Sequence, residues 1–119
     1  MNALLIIAHG SRKQSSNDEV AQLAQRTAQL TSDFELVTHG FLELTTPDVP
    51  TAIQSAIEQG ATRIVVMPYF LAAGYHVQED LPGLLETARQ QHPQVEIQCV
   101  NHIGAADDMP HWVLAQARR

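Results

Sequence analysis

Leu4-Leu5-Ile6-Ile7-Ala8-His9-Gly10 is the stretch on which the fold of this chain is decided. Five apolar residues without alternation, closed by a histidine and a glycine, have the pattern of a strand covered on both faces. Such a strand belongs in the middle of a parallel sheet. Ile64-Val65-Val66-Met67, ended by Pro68, repeats the pattern and reads as a second central strand. Two other segments alternate and read as edge strands: Phe34 to His39, which runs on into Gly40-Phe41-Leu42-Glu43, and Val95 to Cys99.

Helical spacing fills the intervals. Val20, Leu23, Ala24, Thr27 and Leu30 recur on one face from Asn17 onward, with Ser15, Ser16, Asn17 and Asp18 as N-cap candidates. A second helix is expected from about Pro47, with Val49, Ile53, Ala56 and Ile57 facing the core and Gly60 as its stop. A long loop should run from Pro68 to Gln78. A third helix carries Leu81, Leu84, Leu85 and Ala88 and ends before Pro93, and a last helix around Met109 to Arg118 should close the domain. Strands alternate with helices, so the fold class is α/β: a three-layer open parallel sheet of about four strands with helices on both faces. With the continuous strands central, the order is 2-1-3-4 with right-handed crossovers.

Composition bounds the partners. Hydrophobic residues make up 45% of the 119 residues and charged residues 17%, enough apolar surface to offset ordering entropy, so one domain over residues 1–119 is expected. Seven basic against thirteen acidic residues give a formal charge of -6, and the basic ones are scattered. That balance excludes an electrostatic footprint for nucleic acid. Ala3 to Ala8 is too short for a membrane span or a signal segment, so a cytoplasmic protein with no membrane partner is expected. The lone Cys99 is read as a small buried hydrophobe.

A 2-1-3-4 order has its switch point between strands one and three, and ligands bind there beyond the strand C-termini. The loops facing each other at that point contain His9 and His76, and the loop after strand two brings Glu43 to the flank. Two converging imidazoles beside a carboxylate suit a metal. Ser11 and Arg12, with Lys13 beside them, stand at a strand-to-helix turn where backbone N–H groups and a basic side chain can hold an anion. Tyr69, Phe70, Leu71 and Tyr75 offer apolar and aromatic surface to a flat ring. His39, His92, His102 and His111 are read as structural or peripheral. No Gly-x-Gly-x-x-Gly, P-loop or Gly-x-Ser-x-Gly elbow is present, which argues against a dinucleotide site, an NTPase and a serine hydrolase.

Four segments together resemble the short form of the CbiX family, sirohydrochlorin chelatases of the ferrochelatase superfamily. They are Leu5 to Arg12, Gly40-Phe41-Leu42-Glu43 followed by Pro47, Met67-Pro68-Tyr69-Phe70-Leu71-Ala72-Ala73-Gly74-Tyr75-His76, and Asp80-Leu81-Pro82. The resemblance implies that His9 and His76 handle the metal and accept protons, with Glu43 as acidic helper. Gly10, Ser11, Arg12, Phe70, Leu71, Gly74 and Tyr75 would face the tetrapyrrole substrate. It implies a divalent metal as substrate, Co²⁺ or Fe²⁺ with Ni²⁺ also open, no permanently bound cofactor, and a homodimer. After the fourth strand the likeness thins to Ile103-Gly104. The chemistry agrees: insertion removes two pyrrole N–H protons and hands over an ion, and imidazole is both a base near pH 7 and an exchangeable ligand. The alternative reading is a non-catalytic carrier of metal or tetrapyrrole, which the same histidines would serve.

Overall fold

The computed structural model describes the backbone of residues 1–119 and every side chain except that of His76. Four strands, β1 (Asn2–Ala8), β2 (Leu36–Phe41), β3 (Arg63–Pro68) and β4 (Glu96–Cys99), form one parallel sheet in the order β2-β1-β3-β4. The four main helices are α1 (Gln14–Ala28), α2 (Val49–Glu58), α3 (Leu81–Gln91) and α4 (Met109–Ala117). A π-turn, His76–Asp80, leads into α3, and a 3-10 turn, Ile103–Ala105, precedes α4. The expected topology is the observed one.

Period-two alternation sends odd and even positions of β1 to opposite layers. Ala3, Leu5 and Ile7 join Ile64, Val66 and Ile97 in a core closed by Ile53 and Ala56 of α2 and Leu81, Leu85 and Ala88 of α3. Ile6 and Ala8 meet Phe41 of β2 and Val20 and Ala24 of α1 in a smaller cluster on the other face. That second face is only half covered. α1 lies over β1 and β2, while β3 and β4 present Arg63, Glu96 and Gln98, which bond one another: Arg63 Nε is 3.2 Å from Glu96 Oε2, and Arg63 Nη2 donates to Gln98 Oε1 at 3.2 Å.

Several expectations need correction. β2 begins two residues later than Phe34 and runs through Gly40 and Phe41, because pairing with β1 sets Ile7 against Gly40 and Ala8 against Phe41. α1 begins at Gln14, not Asn17: the Lys13 N–H donates to Ser11 Oγ at 3.0 Å and the Ser16 N–H to the Lys13 carbonyl. Cys99 is exposed, because β4 carries it past the helix cover to the rim of a cavity of about 360 Å³ shared with Leu81, Leu85 and Arg89; partial burial still raises its thiol pKa. α4 does not close the domain: it has no buried residue, packs substantially only against the 3-10 turn, and leaves Trp112, Val113 and Leu114 exposed.

α2 starts at Val49, two residues beyond Pro47. The Thr51 N–H donates to Asp48 Oδ1 at 2.9 Å as an N-cap, and hydrogen bonding from the Thr51 side chain, then from this N–H, holds the Asp48 carboxyl below its usual pKa.

His39 lies on the α1 face of β2, edge-on to Phe41 with ring centroids 5.5 Å apart. Partial burial lowers its pKa below the ordinary 6.5, so the unfolded chain takes up this proton first as pH falls. Stability should therefore be lost as pH drops from about 6.5 toward the lower folded-state value. His39→Phe should flatten that part of the profile, measured as the urea midpoint between about pH 7 and pH 5; an unchanged slope would assign the effect to other groups.

Candidate functional site

The site is built by parallel pairing that continues past the last residues of β1 and β2. The Leu42 N–H donates to the Ala8 carbonyl and the Glu43 N–H to the His9 carbonyl, both at 3.0 Å. His9 and Glu43 thereby leave the sheet side by side, and their side chains meet: His9 Nε2 lies 2.7 Å from Glu43 Oε1. The other ring nitrogen, Nδ1, is 2.9 Å from the Gly10 carbonyl, an acceptor, so Nδ1 carries a hydrogen. In the neutral ring Nε2 is then the lone-pair atom, and a 2.7 Å contact between that atom and a carboxylate oxygen requires a proton between them. Their side chains are 39% and 49% exposed, a setting in which an ion pair contributes only about 0–1 kcal/mol. The pair serves stability little.

Gly10 makes this approach possible. Its φ is +100°, and a Cβ there would sit 1.9 Å from the Glu43 carbonyl oxygen. Leu44, just beyond, also turns through positive φ, at 70°. On the far side of the loop, Asn17 is buried and clamps Ser11: the Ser11 N–H donates to Asn17 Oδ1 at 2.9 Å, and Asn17 Nδ2 donates to the Ser11 carbonyl at 2.8 Å. Sequence reasoning treated Asn17 as one of several caps. Its place on the apolar stripe with Val20 and Ala24 was the signal that it needs a backbone partner inside.

This clamp revises one expectation: the Ser11 N–H and hydroxyl are already engaged, with Asn17 and the Lys13 N–H, so Ser11 offers no open donor from its backbone to an anion. Arg12 and Lys13 are exposed beside it. The loop after β3 is shorter than expected, because the Gln78 N–H donates to the Gly74 carbonyl at 3.1 Å and the π-turn begins at His76. A π-turn at the head of a helix is a frequent mark of function. The His76 side chain lies outside the described residues; its backbone opens the π-turn that leads into α3.

Phe70 is half-buried, whereas Leu71 and Tyr75 are 73% and 70% exposed, large apolar side chains held out in solvent. Gly74 has open space where a Cβ would be. Glu79 and Asp80 line a groove with Glu43, so this flank of the site is acidic. Among the described residues, no three His, Cys, Asp or Glu side chains gather into a metal-holding set; His9 and Glu43 supply two donors.

Comparison with known proteins now decides the family. Residues 3–119 match CbiX. The chain belongs to the CbiX family. It is 40% identical over 92 residues to the sirohydrochlorin cobaltochelatase of Methanocaldococcus jannaschii, across 77% of this chain and 64% of that protein. A crystal structure of a CbiX protein from Marinobacter aquaeolei VT8, named for cobalamin (vitamin B12) biosynthesis, overlays with a TM-score of 0.83 at 25% identity, covering 99% of this chain and 95% of the other. The sirohydrochlorin chelatase SirB from Bacillus subtilis subspecies spizizenii, in complex with cobalt, overlays with a TM-score of 0.87 at 27% identity, over 98% of this chain but 50% of that one. The chain thus spans less than two thirds of the curated relative and about half of SirB.

Two substitutions test how this CbiX chain assembles its site. Asn17→Leu strands two backbone groups of Ser11 and should destabilise the fold by about 1–3 kcal/mol. Gly10→Ala forces a side chain against the Glu43 carbonyl at positive φ and should cost a similar amount, about 1–3 kcal/mol. Urea unfolding reads both; a Gly10→Ala midpoint equal to wild type would show that the two loops need not approach.

Proposed function

We propose that this chain inserts a divalent metal ion into sirohydrochlorin or a related tetrapyrrole, in the synthesis of cobalamin or siroheme. The His9–Glu43 pair is the observation that carries this reading, and the names of the relatives support it. Insertion exchanges one M²⁺ for two pyrrole protons. His9, with Nδ1–H bound to the Gly10 carbonyl, turns its Nε2 lone pair to metal or proton, and Glu43 stabilises a proton taken up there. His76 is the second imidazole in this proposal. Metal and proton compete for the same Nε2 lone pair, so the site can release an ion as it gains a proton. One imidazole–carboxylate pair does not select among Co²⁺, Fe²⁺ and Ni²⁺, whose affinities for such donors follow a generic order.

The tetrapyrrole would lie on Phe70, Leu71 and Tyr75, with Gly10 and Gly74 leaving room and Arg12 near its carboxylates. The exposed apolar side chains of the loop support this placement. In this reading residues 1–119 act as one chelatase domain in the cytoplasm, with no permanently bound cofactor. No described helix is long and apolar enough to cross a membrane. The working unit is a homodimer of two copies of this chain. On α4, Met109, Trp112 and Val113 form an apolar patch at i, i+3 and i+4, edged by Gln116 one turn on. A nine-residue helix packed this little is marginal in water, so a second copy has reason to cover it. SirB, about twice this chain's matched length, supports the same reading.

The test is the initial rate of absorbance change when sirohydrochlorin meets Co²⁺, Fe²⁺ or Ni²⁺. His9→Ala and His76→Ala should each lower the catalysed rate by about 10²–10⁴-fold, and Glu43→Gln by less. A wild-type rate no faster than the uncatalysed one, with both ligands bound, would overturn insertion in favour of a carrier. Light scattering that finds only fully active monomer would overturn the dimer, and Trp112→Glu should weaken it.

A further inference from the structure

We propose that the segment after β4, residues 101–105, is a clasp that positions the loop 69–75 for the tetrapyrrole, and that Ile103 adds a wall to the surface the macrocycle meets. The inference rests on the chelatase reading above and goes beyond it, since it concerns the stretch where the family likeness thins.

The sheet ladder ends where the Val100 N–H donates to the Val66 carbonyl at 3.0 Å. The chain then leaves β4 and turns back over the loop that follows β3. At the crossing, the Gly104 N–H donates to the Phe70 carbonyl at 3.0 Å. The backbones approach so closely that a Cβ on Gly104 would lie 1.8 Å from the Leu71 carbonyl oxygen, 2.4 Å from its carbon and 2.7 Å from the Leu71 Cα. All three atoms are backbone, so no flexible side chain can swing aside. Any residue but glycine must push the loop away.

Among the described residues the loop's other backbone bonds lie toward its ends: the Tyr69 N–H donates to the Ile7 carbonyl at 2.7 Å, the Phe70 N–H to the Pro68 carbonyl at 3.1 Å, and the Gly74 carbonyl accepts from the Gln78 N–H. The clasp grips between them, beside the residues that hold apolar surface in solvent. Ile103 shares a groove of about 230 Å³ with Tyr69, Phe70 and Leu71, so the clasp also contributes a side chain to that surface. A binding loop held in place before its ligand arrives loses less freedom on binding. Gly104 is therefore a positioning residue, and Ile103 a binding residue for an apolar ring face.

Gly104→Ala and Ile103→Ala separate this role from general stability. For each variant, sirohydrochlorin affinity is measured by titration without metal, Co²⁺ affinity by titration without tetrapyrrole, and KM and kcat by the insertion assay, with circular dichroism as fold control. Gly104→Ala should raise the tetrapyrrole Kd and KM by about tenfold or more while Co²⁺ affinity stays within about twofold, because it displaces the loop at Leu71, ahead of the π-turn that carries His76, and leaves the His9–Glu43 pair in place. Ile103→Ala, which leaves the backbone contact intact, should raise KM less and kcat should hold. If Gly104→Ala does not fold, the Ile103→Ala shift decides. Wild-type protein that neither binds sirohydrochlorin nor inserts metal would defeat the chelatase reading itself. An active wild type whose variants match it in KM, or lose kcat and Co²⁺ affinity together with KM unchanged, would overturn the clasp.

Discussion

The parallel register between β1 and β2 is the constraint on which the rest of this structure depends. Ile7 opposite Gly40 and Ala8 opposite Phe41 extend, without a break in hydrogen bonding, to the Glu43 N–H on the His9 carbonyl. A shift of one residue would turn Ile6 and Ala8 away from α1 and Phe41, and Leu5 and Ile7 away from α2 and α3. Two separate cores enforce the register from opposite faces. The His9–Glu43 pair inherits that precision, since these are the next residues out along the same ladder.

What the ladder cannot supply is the geometry of the loops, and three small contacts do that work. Gly10 removes the side chain that would strike the Glu43 carbonyl, Asn17 saturates the backbone of Ser11, and Gly104 lets a second segment lie against Leu71. Each acts on backbone rather than on a side chain. The site can therefore carry half-exposed groups, His9 and Glu43, in a fixed relation without burying them.

The molecule is unevenly finished. One face of the sheet carries two helices, the other carries α1 alone, and α4 projects with its apolar stripe uncovered, in keeping with principal-axis extents of 46 × 32 × 28 Å. The Arg63–Glu96–Gln98 ladder puts polar side chains on the sheet face that α1 leaves uncovered, while exposed apolar side chains lie on α4 and on the loop after β3. The 3-10 turn at Ile103–Ala105 touches both α4 and the loop after β3, which places that loop and the uncovered helix on either side of one short segment.

The sequence by itself determined the sheet. Leu4 to Ala8 and Ile64 to Met67 are continuous apolar runs, a property of burial on both faces that needs no knowledge of neighbours, and their central placement carried the order 2-1-3-4 and the position of His9 and Glu43 beyond the strand ends. Boundaries went astray where a partner decided them: β2 runs through Gly40 because β1 pairs with it, and α1 starts early where the Lys13 N–H turns back onto the Ser11 hydroxyl. Cys99 alternates with Ile97 as a core residue should, yet only the reach of α3 decides which of the two is covered. The bond between His9 and Glu43, the clamp of Asn17 and the fit of Gly104 were settled by tertiary structure alone. Each joins residues whose meeting depends on register and loop path, and local periodicity carries no record of either.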